Sequence, residues 1–434
     1  MKPLVITGFV FLLFVQQSKA DFSAVIEQEL TLDENLHSQK FEISFQPEWN
    51  VSINEEVEMT FIARARFDDL GNLGPINERP LNYSGNNGPI ISGSYGGLTI
   101  REWYIDTEIK NTFWRVGKQQ VVWGQADGLK VLDIVNPQSF REFILDDFDD
   151  SRIPLWMLNI EIPIGDEDSL QLLWIPDLTY HEFAETGTSF QITSPLFVPS
   201  IGDELPIVGF IPQKPSSVLG DSDVGFRYSK FYAGWDLTLN YLYHYHDSPV
   251  LYQRYEDDGV IIESKYKRNH LIGATASNVF GDFTLRTEIG YNSDTYHQMN
   301  PASANLNTDG VFQSKEFSSV IGMDWQGLEN IFISAQWFQS HLFEYDNQVI
   351  RPRNNNIISF LYKQTFQNET WELDILSLYG LDKNDTSVQL ELSYMLEDNF
   401  KVWIGSDIFS GNSTGLFGQF DQQDRIKFGF EWGI

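Results

Sequence analysis

Apolar and polar residues alternate at the end of this chain. Ile426, Phe428, Phe430, Trp432 and Ile434 take every second position, with Lys427, Gly429, Glu431 and Gly433 between them. A period of two belongs to a strand with one apolar and one polar face. The pattern recurs upstream. Val388, Leu390, Leu392 and Tyr394 form one such run, and Trp371, Leu373 and Ile375 another. Others are Phe283, Leu285, Ile289 and Tyr291, then Trp235 to Tyr245, Trp156 to Ile162, and Val57 to Phe67. Each run is about ten residues, the length of a tilted strand that crosses a bilayer.

The connections between runs are of two kinds. Short ones fall near 50–56, 110–112, 165–168, 233–234, 281–282, 327–330, 367–369 and 397–399. Longer ones, near 68–98, 123–154, 177–222, 245–265, 293–315, 342–354, 380–385 and 410–424, lie between them. Short turns at one end and long loops at the other mark outer-membrane barrels. The pattern predicts an all-β, antiparallel transmembrane barrel of about 18 strands, with 16 as the alternative, short periplasmic turns and long extracellular loops. In water, that many half-apolar strands would need a second sheet or helices to cover them, and no helix-period segment is long enough. In lipid, acyl chains cover the apolar face and closure satisfies every edge. A soluble double sheet is the competing architecture.

The N-terminus adds an address. Lys2 precedes a short apolar run from Pro3 to Val15, and Ser18-Lys19-Ala20 fits a small-x-small cleavage site. Residues 1–20 therefore read as a signal peptide, followed by a single barrel domain over 21–434. The chain has no cysteine, which removes disulfides, thiolate metal sites and Cys nucleophiles. Its net charge of −32 argues against nucleic acid as a partner. The 33 Phe, 18 Tyr and 12 Trp suit a chain with two membrane–water interfaces.

One block carries more than periodicity. From Thr99 to Leu158 the chain contains Arg101-Glu102, Arg115, Gly117, Lys118 and Gln119, Trp123-Gly124, Leu132-Asp133, Asn136-Pro137, and Arg152, Pro154 and Trp156. This block resembles a proteobacterial outer-membrane family known only as a domain of unknown function, similar in style to alginate-export and other substrate-specific porins. The resemblance implies a barrel that passes or exports a particular molecule. It also implies a periplasmic carrier and an inner-membrane exporter of hydrophobic compounds as partners. Such chains usually end in Phe or Trp, which the barrel-assembly machinery reads. Here the end is Ile434 with Trp432 two before it, so assembly is expected with the apolar phase kept.

Candidate site residues follow from phase and motif. Arg64, Arg66, Arg115, Lys118, Glu161, Arg286, Glu288, Glu372 and Asp374 take polar positions and should line the lumen, where they could set selectivity. Mutual pairing inside a wet barrel is the blander reading. The segment 123–154 is too long for a hairpin and too apolar for open water. It should fold into the lumen as a constriction, through Trp123, Leu132, Asp133, Asn136, Pro137, Arg141 and Arg152. An external loop is the alternative.

Residues 177–222 are a second infolding loop. Its stretch 193–213 is rich in Leu, Ile, Val and Phe, which suits a plug or a gate for an apolar substrate, or else a loop that dips into the outer-leaflet boundary or packs on another loop. Its prolines argue against a regular strand. Asp146, Asp147, Asp149 and Asp150 lack the spacing of a calcium loop and read as a solvated acidic loop or as partners for Arg141 and Arg152. His244 and His246 have no third metal ligand in view. No HExxH or P-loop occurs, and no cofactor is implied.

The function expected is an outer-membrane channel or export barrel without chemistry of its own, in contact with lipid and lipopolysaccharide. A hydrophobic or lipid-like cargo is favoured by the 193–213 stretch. An outer-membrane lipid hydrolase built on Ser334 or Ser406, and a closed structural or binding barrel, are the alternatives.

Overall fold

The computed structural model describes residues 20–70, 82–93, 95–201, 206–300 and 309–434. The expected leader lies outside the described residues except for Ala20, where the first strand begins.

Eighteen strands build one closed antiparallel barrel. In chain order they are β1 (Ala20–Asp33), β2 (Ser38–Asn54), β3 (Val57–Asp68), β4 (Gly96–Ile109), β5 (Thr112–Gln119) and β6 (Leu155–Ile164). Then come β7 (Asp168–Ile175), β8 (Asp223–Tyr232), β9 (Trp235–Tyr245), β10 (Arg268–Phe280), β11 (Phe283–Gln298) and β12 (Val311–Leu328). The circuit finishes with β13 (Ile331–Leu342), β14 (Asn354–Phe366), β15 (Trp371–Gly380), β16 (Asp385–Glu397), β17 (Phe400–Ser410) and β18 (Arg425–Gly433). Each strand pairs with the next, and β18 pairs back onto β1 from Val25↔Gly433 to Asp33↔Arg425. The seam runs to the last residue, where the Ile434 amide donates to the Ala24 carbonyl at 2.8 Å. Closure removes the two edges that an open sheet of these strands would expose.

Alternation at the chain end has its cause here. On β18, Ile426 (40% exposed), Phe428 (38%) and Trp432 (44%) point outward, whereas Arg425 (5%) points into the lumen. Outside, Phe22, Trp49, Phe61 and Trp103 make a chain of ring contacts across β1 to β4, and Trp103 meets Trp156 of β6, each with centroids 5.3–6.2 Å apart. Ile404→Arg, on the outer face of β17, should cost about 2–4 kcal/mol in denaturant unfolding within a bilayer, the depth-dependent penalty for a cation in lipid. A cost below about 1 kcal/mol would deny that this face meets lipid.

Tight turns sit at one rim. Lys110 and Asn111 have φ of 52° and 63°, and Ala233 and Gly234 have 51° and 86°. Paired positive φ values belong to the two-residue turn whose twist matches the flanking strands. Long connections sit at the other rim. There, Ile207–Gln213 pairs in parallel with Gly259–Lys265, which pairs with Val250–Glu256. The expectation that prolines exclude a strand in this stretch is corrected. Ile207–Gln213 is an edge strand, so Pro212 withholds a donor only where none is needed.

Candidate functional site

Where β5 ends at Gln119 the chain leaves the wall and turns inward. Asn136 shapes the excursion, because its side chain serves three backbone groups. Its carbonyl accepts from the Val121 amide (2.7 Å), and its amide donates to the carbonyls of Ile153 (3.0 Å) and Gln119 (3.3 Å). The Pro137 carbonyl accepts from the Ile153 amide at 2.8 Å. The two legs of the loop are thus tied at the root, which a tight Asn-Pro turn makes possible.

Two apolar clusters and a set of buried charges then dock the loop 120–154 around the inner wall. Trp123, Leu132 and Val135 pack with Leu155, Met157, Leu173, Leu242 and Leu271. The Trp123 indole donates to Gln171 on β7 at 2.8 Å. Across the lumen, Phe143 packs with Phe409 and Phe420, 4.6 Å from the latter ring. Between the clusters, Glu288 on β11 accepts from the amides of Gln125 and Leu132. Arg286 holds Asp127 at 2.6 Å and Asp324 at 2.8 Å. Gln336 on β13 donates to the same Asp127 at 2.6 Å.

The far side of the loop meets a denser charge set. Arg141 bonds Glu42 on β2 through two nitrogens, at 2.8 and 3.3 Å. The Glu142 side chain is fully buried between Lys40 on β2 (2.5 Å) and Arg425 on β18 (2.6 Å). Burial pushes the Glu142 carboxyl up, but Lys40, Arg425 and Arg141 outweigh it and hold it well below the usual carboxylate range. Asp150 pairs with Arg64 on β3, and Arg101 on β4 donates to the carbonyls of Asp149, Asp150 and Arg152. Within the loop, Asp133 takes Arg152 at 2.7 Å and Lys130 at 3.0 Å. The loop therefore touches the wall from β2 round to β18.

The loop 176–222 rests on this crosspiece. His181 Nδ1 accepts from the Gln138 amide at 2.8 Å, which requires a neutral ring nitrogen. Burial, with Lys130 and His246 nearby, pushes that imidazole down to about 3. Tyr180 stacks on Tyr266 at 3.8 Å. Ser194 binds the Thr414 carbonyl, so the apolar stretch begins by packing on another loop.

Not every candidate residue joins the crosspiece. Arg66 stands 3.8 Å from Glu42, and Lys118 donates to the carbonyls of Ile100 and Asn87. Arg115 pairs with Asp106 at 2.7 Å and, with Glu161, lines a vestibule at the short-turn rim. Asp374 meets Lys363 at 3.4 Å on the wall, and Glu372 lies near it. Of the acidic run, Asp149 meets Arg152. Among the described residues no group of three His, Cys, Asp or Glu could hold a metal. His244 contacts Asn269, and His246 contacts the Asp294 carbonyl. Ser334 lies beside Arg286, Asp127 and Gln336, and Ser406 donates to the Arg425 carbonyl. Sequence reasoning missed Lys40, Glu42, Glu142 and Arg425. Lys40, Glu42 and Arg425 sit in the polar phase of their strands, so their side of the wall was readable, but their partner was not.

A family model described as "Protein of unknown function (DUF1302)" matches residues 72–348. The chain belongs to this family. The match includes the whole crosspiece loop and most of the wall residues that hold it. No curated protein sequence matches the chain.

Solved structures give the fold. OpdK of Pseudomonas aeruginosa with vanillate is similar at a TM-score of 0.55 and 10% identity, over 96% of this chain and 98% of that one. OccK8 (OprE) of the same organism is similar at 0.54 and 12%, over 97% and 99%. Acinetobacter baumannii OccAB2 is similar at 0.52 and 11%, over 97% and 99%. The DUF1302 chain is an outer-membrane barrel of porin-like channel fold. These neighbours are channels, not enzymes. Outer-membrane barrels place their short turns on the periplasmic side.

Proposed function

We propose that this barrel is a substrate-specific outer-membrane channel in which the loop 120–154 forms the constriction. The cargo is a hydrophobic or amphiphilic organic molecule. The single observation that supports this most is that the loop is docked on strands all round the wall. Anything that crosses the lumen must pass between its side chains and the barrel. A carrier and an inner-membrane exporter would deliver cargo at the periplasmic rim, where Glu55, Glu56, Glu58, Glu108 and Glu161 line the vestibule. Such a mouth favours a partner with a basic docking face.

Conductance in planar bilayers tests the constriction. The wild-type barrel should pass only small current steps. Replacing residues 126–147 by a short Gly-Ser linker should raise the steps several-fold, towards those of an open barrel of this strand number. Large steps from the wild type, or no increase on removing the loop, would refute the reading.

A further inference from the structure

The barrel wall is not laddered everywhere. The β4–β5 pairing ends at Trp103↔Lys118, and the β5–β6 pairing ends at Gln119↔Leu155. Beyond that height β4 continues, paired with β3 on one side as far as Gly96↔Phe67. On its other side only Gly96–Leu98 find a strand partner, the short Ile91–Gly93. Between them the carbonyl of Ile100 is capped by a side chain, Lys118 Nζ, at 2.6 Å.

What closes the gap between β4 and β6 is the segment 82–93, tied by backbone at its ends, where the Asn82 carbonyl accepts from the Tyr180 amide (3.0 Å) and the Ile90 amide donates to the Leu98 carbonyl (2.8 Å), and held by side chains between them. Asn87 donates to the Pro154 carbonyl (2.9 Å) and to Asp177 (2.8 Å), and the Trp156 indole donates to the Asn86 carbonyl (3.1 Å). Ile90 and Ile91 are exposed on its outer surface.

Directly behind this segment lies a cavity of about 120 Å³. Its walls include the apolar Pro89, Ile100, Ile153 and Pro154, and its charged lining is cationic: Arg64, Arg66, Arg101, Lys118 and Arg141 against Asp150 and Glu182. In a chain of net charge −32 this excess is local and opposite in sign. Arg64 and Arg141 are paired with carboxylates. The hydrogen bonds of Arg101 and of Lys118 go to backbone carbonyls alone, although Lys118 is only 5% exposed. Asp177 and Glu102 act on Lys118 only through space, and a buried ammonium whose own bonds go to carbonyls is costly unless an anion completes its shell.

We infer that this cavity binds the anionic head of an amphiphile that crosses the barrel wall sideways, through the segment 82–93, between the lumen and the outer leaflet. The inference rests on the channel reading for its lumenal end. The cationic cluster takes a carboxylate or phosphate head. The apolar lining and the lipid-facing side of the segment accommodate the chain behind it. A ladder of backbone hydrogen bonds resists opening, whereas a few side-chain bonds can part and re-form.

The chain lacks cysteine, so a pair can be introduced cleanly. The barrel in nanodiscs, with laurate as the probe, should bind it at low ionic strength, with acetate failing to compete at equal concentration. Lys118→Met should weaken laurate binding at least tenfold while the barrel keeps its heat-modifiable mobility. Asn87→Cys with Asp177→Cys should slow laurate exchange at least tenfold when oxidised and restore it when reduced. Laurate binding unchanged in Lys118→Met, or acetate competing as well as laurate, would overturn the site. Exchange indifferent to the crosslink would overturn the lateral route. Neither result bears on conductance, so failure of this inference and failure of the channel reading are separable.

Discussion

Glu142→Gln should loosen the crosspiece and raise conductance. The native carboxylate is the loop's contact with both Lys40 and Arg425, on either side of the β1–β18 seam. Glutamine keeps the shape and removes the charge. Lys40 retains Glu29 at 3.0 Å and Arg425 retains Asp407 at 2.6 Å. The cost should therefore lie near the low end for breaking a buried pair, about 3 kcal/mol. The loop would then hang on Arg141–Glu42 and the phenylalanine cluster at this side. Larger and noisier current steps, with a lower melting temperature, are the expected readouts. Conductance and melting both unchanged would show that the loop does not depend on this carboxylate.

The same group sets a pH dependence with a defined sign. Glu142 is held well below its ordinary 4.5, so docking gains from it above that value and loses the gain as pH falls below it. Asp146 acts the other way. Burial and the Glu142 charge push it up to about 6, so docking tightens as pH falls through that value. Wild-type conductance should therefore fall as pH drops from about 6 and pass through a minimum near pH 4.5. In Glu142→Gln the rise on the acid side should be lost.

How much of this could be read in the sequence depends on how local its cause is. Strand number was legible because lipid imposes a period of two on every strand separately, and turn chemistry such as Ala233-Gly234 marks each hairpin. The edge strand at Ile207–Gln213 was not, since proline excludes a central strand but not an outermost one. Phase tells which side of the wall a residue takes, not its height. Arg115 and Glu161 share the inward phase with Arg64 yet lie near the short turns, away from the loop. Partners were the least legible feature. Glu142 meets Lys40 across 102 residues and Arg425 across 283. No spacing rule spans such distances, because only barrel closure brings those strands together.

A notch in the wall was equally silent, and it yields the second large effect. Gly273 on β10 and Gly290 on β11 stand directly opposite each other, and Leu132, fully buried, projects onto the pair. A Cβ at Gly273 would lie 2.4 Å from Leu132 Cδ2, and one at Gly290 would lie 3.3 Å from it. Glycine is needed at 273 for close approach, not for its backbone angles. Leu132→Ala should cost about 2–5 kcal/mol, the price of an emptied buried site. Gly273→Val should cost about 1–3 kcal/mol by expelling the leucine. Each change should free the loop, seen as larger current steps and as new trypsin cleavage after Lys130, which is buried beside Asp133 in the docked state. The two together should cost less than their sum, because valine at 273 fills the room that alanine at 132 leaves. Strict additivity would mean that the leucine and the glycine pair act separately. The knob would then not be what holds this end of the crosspiece against the wall.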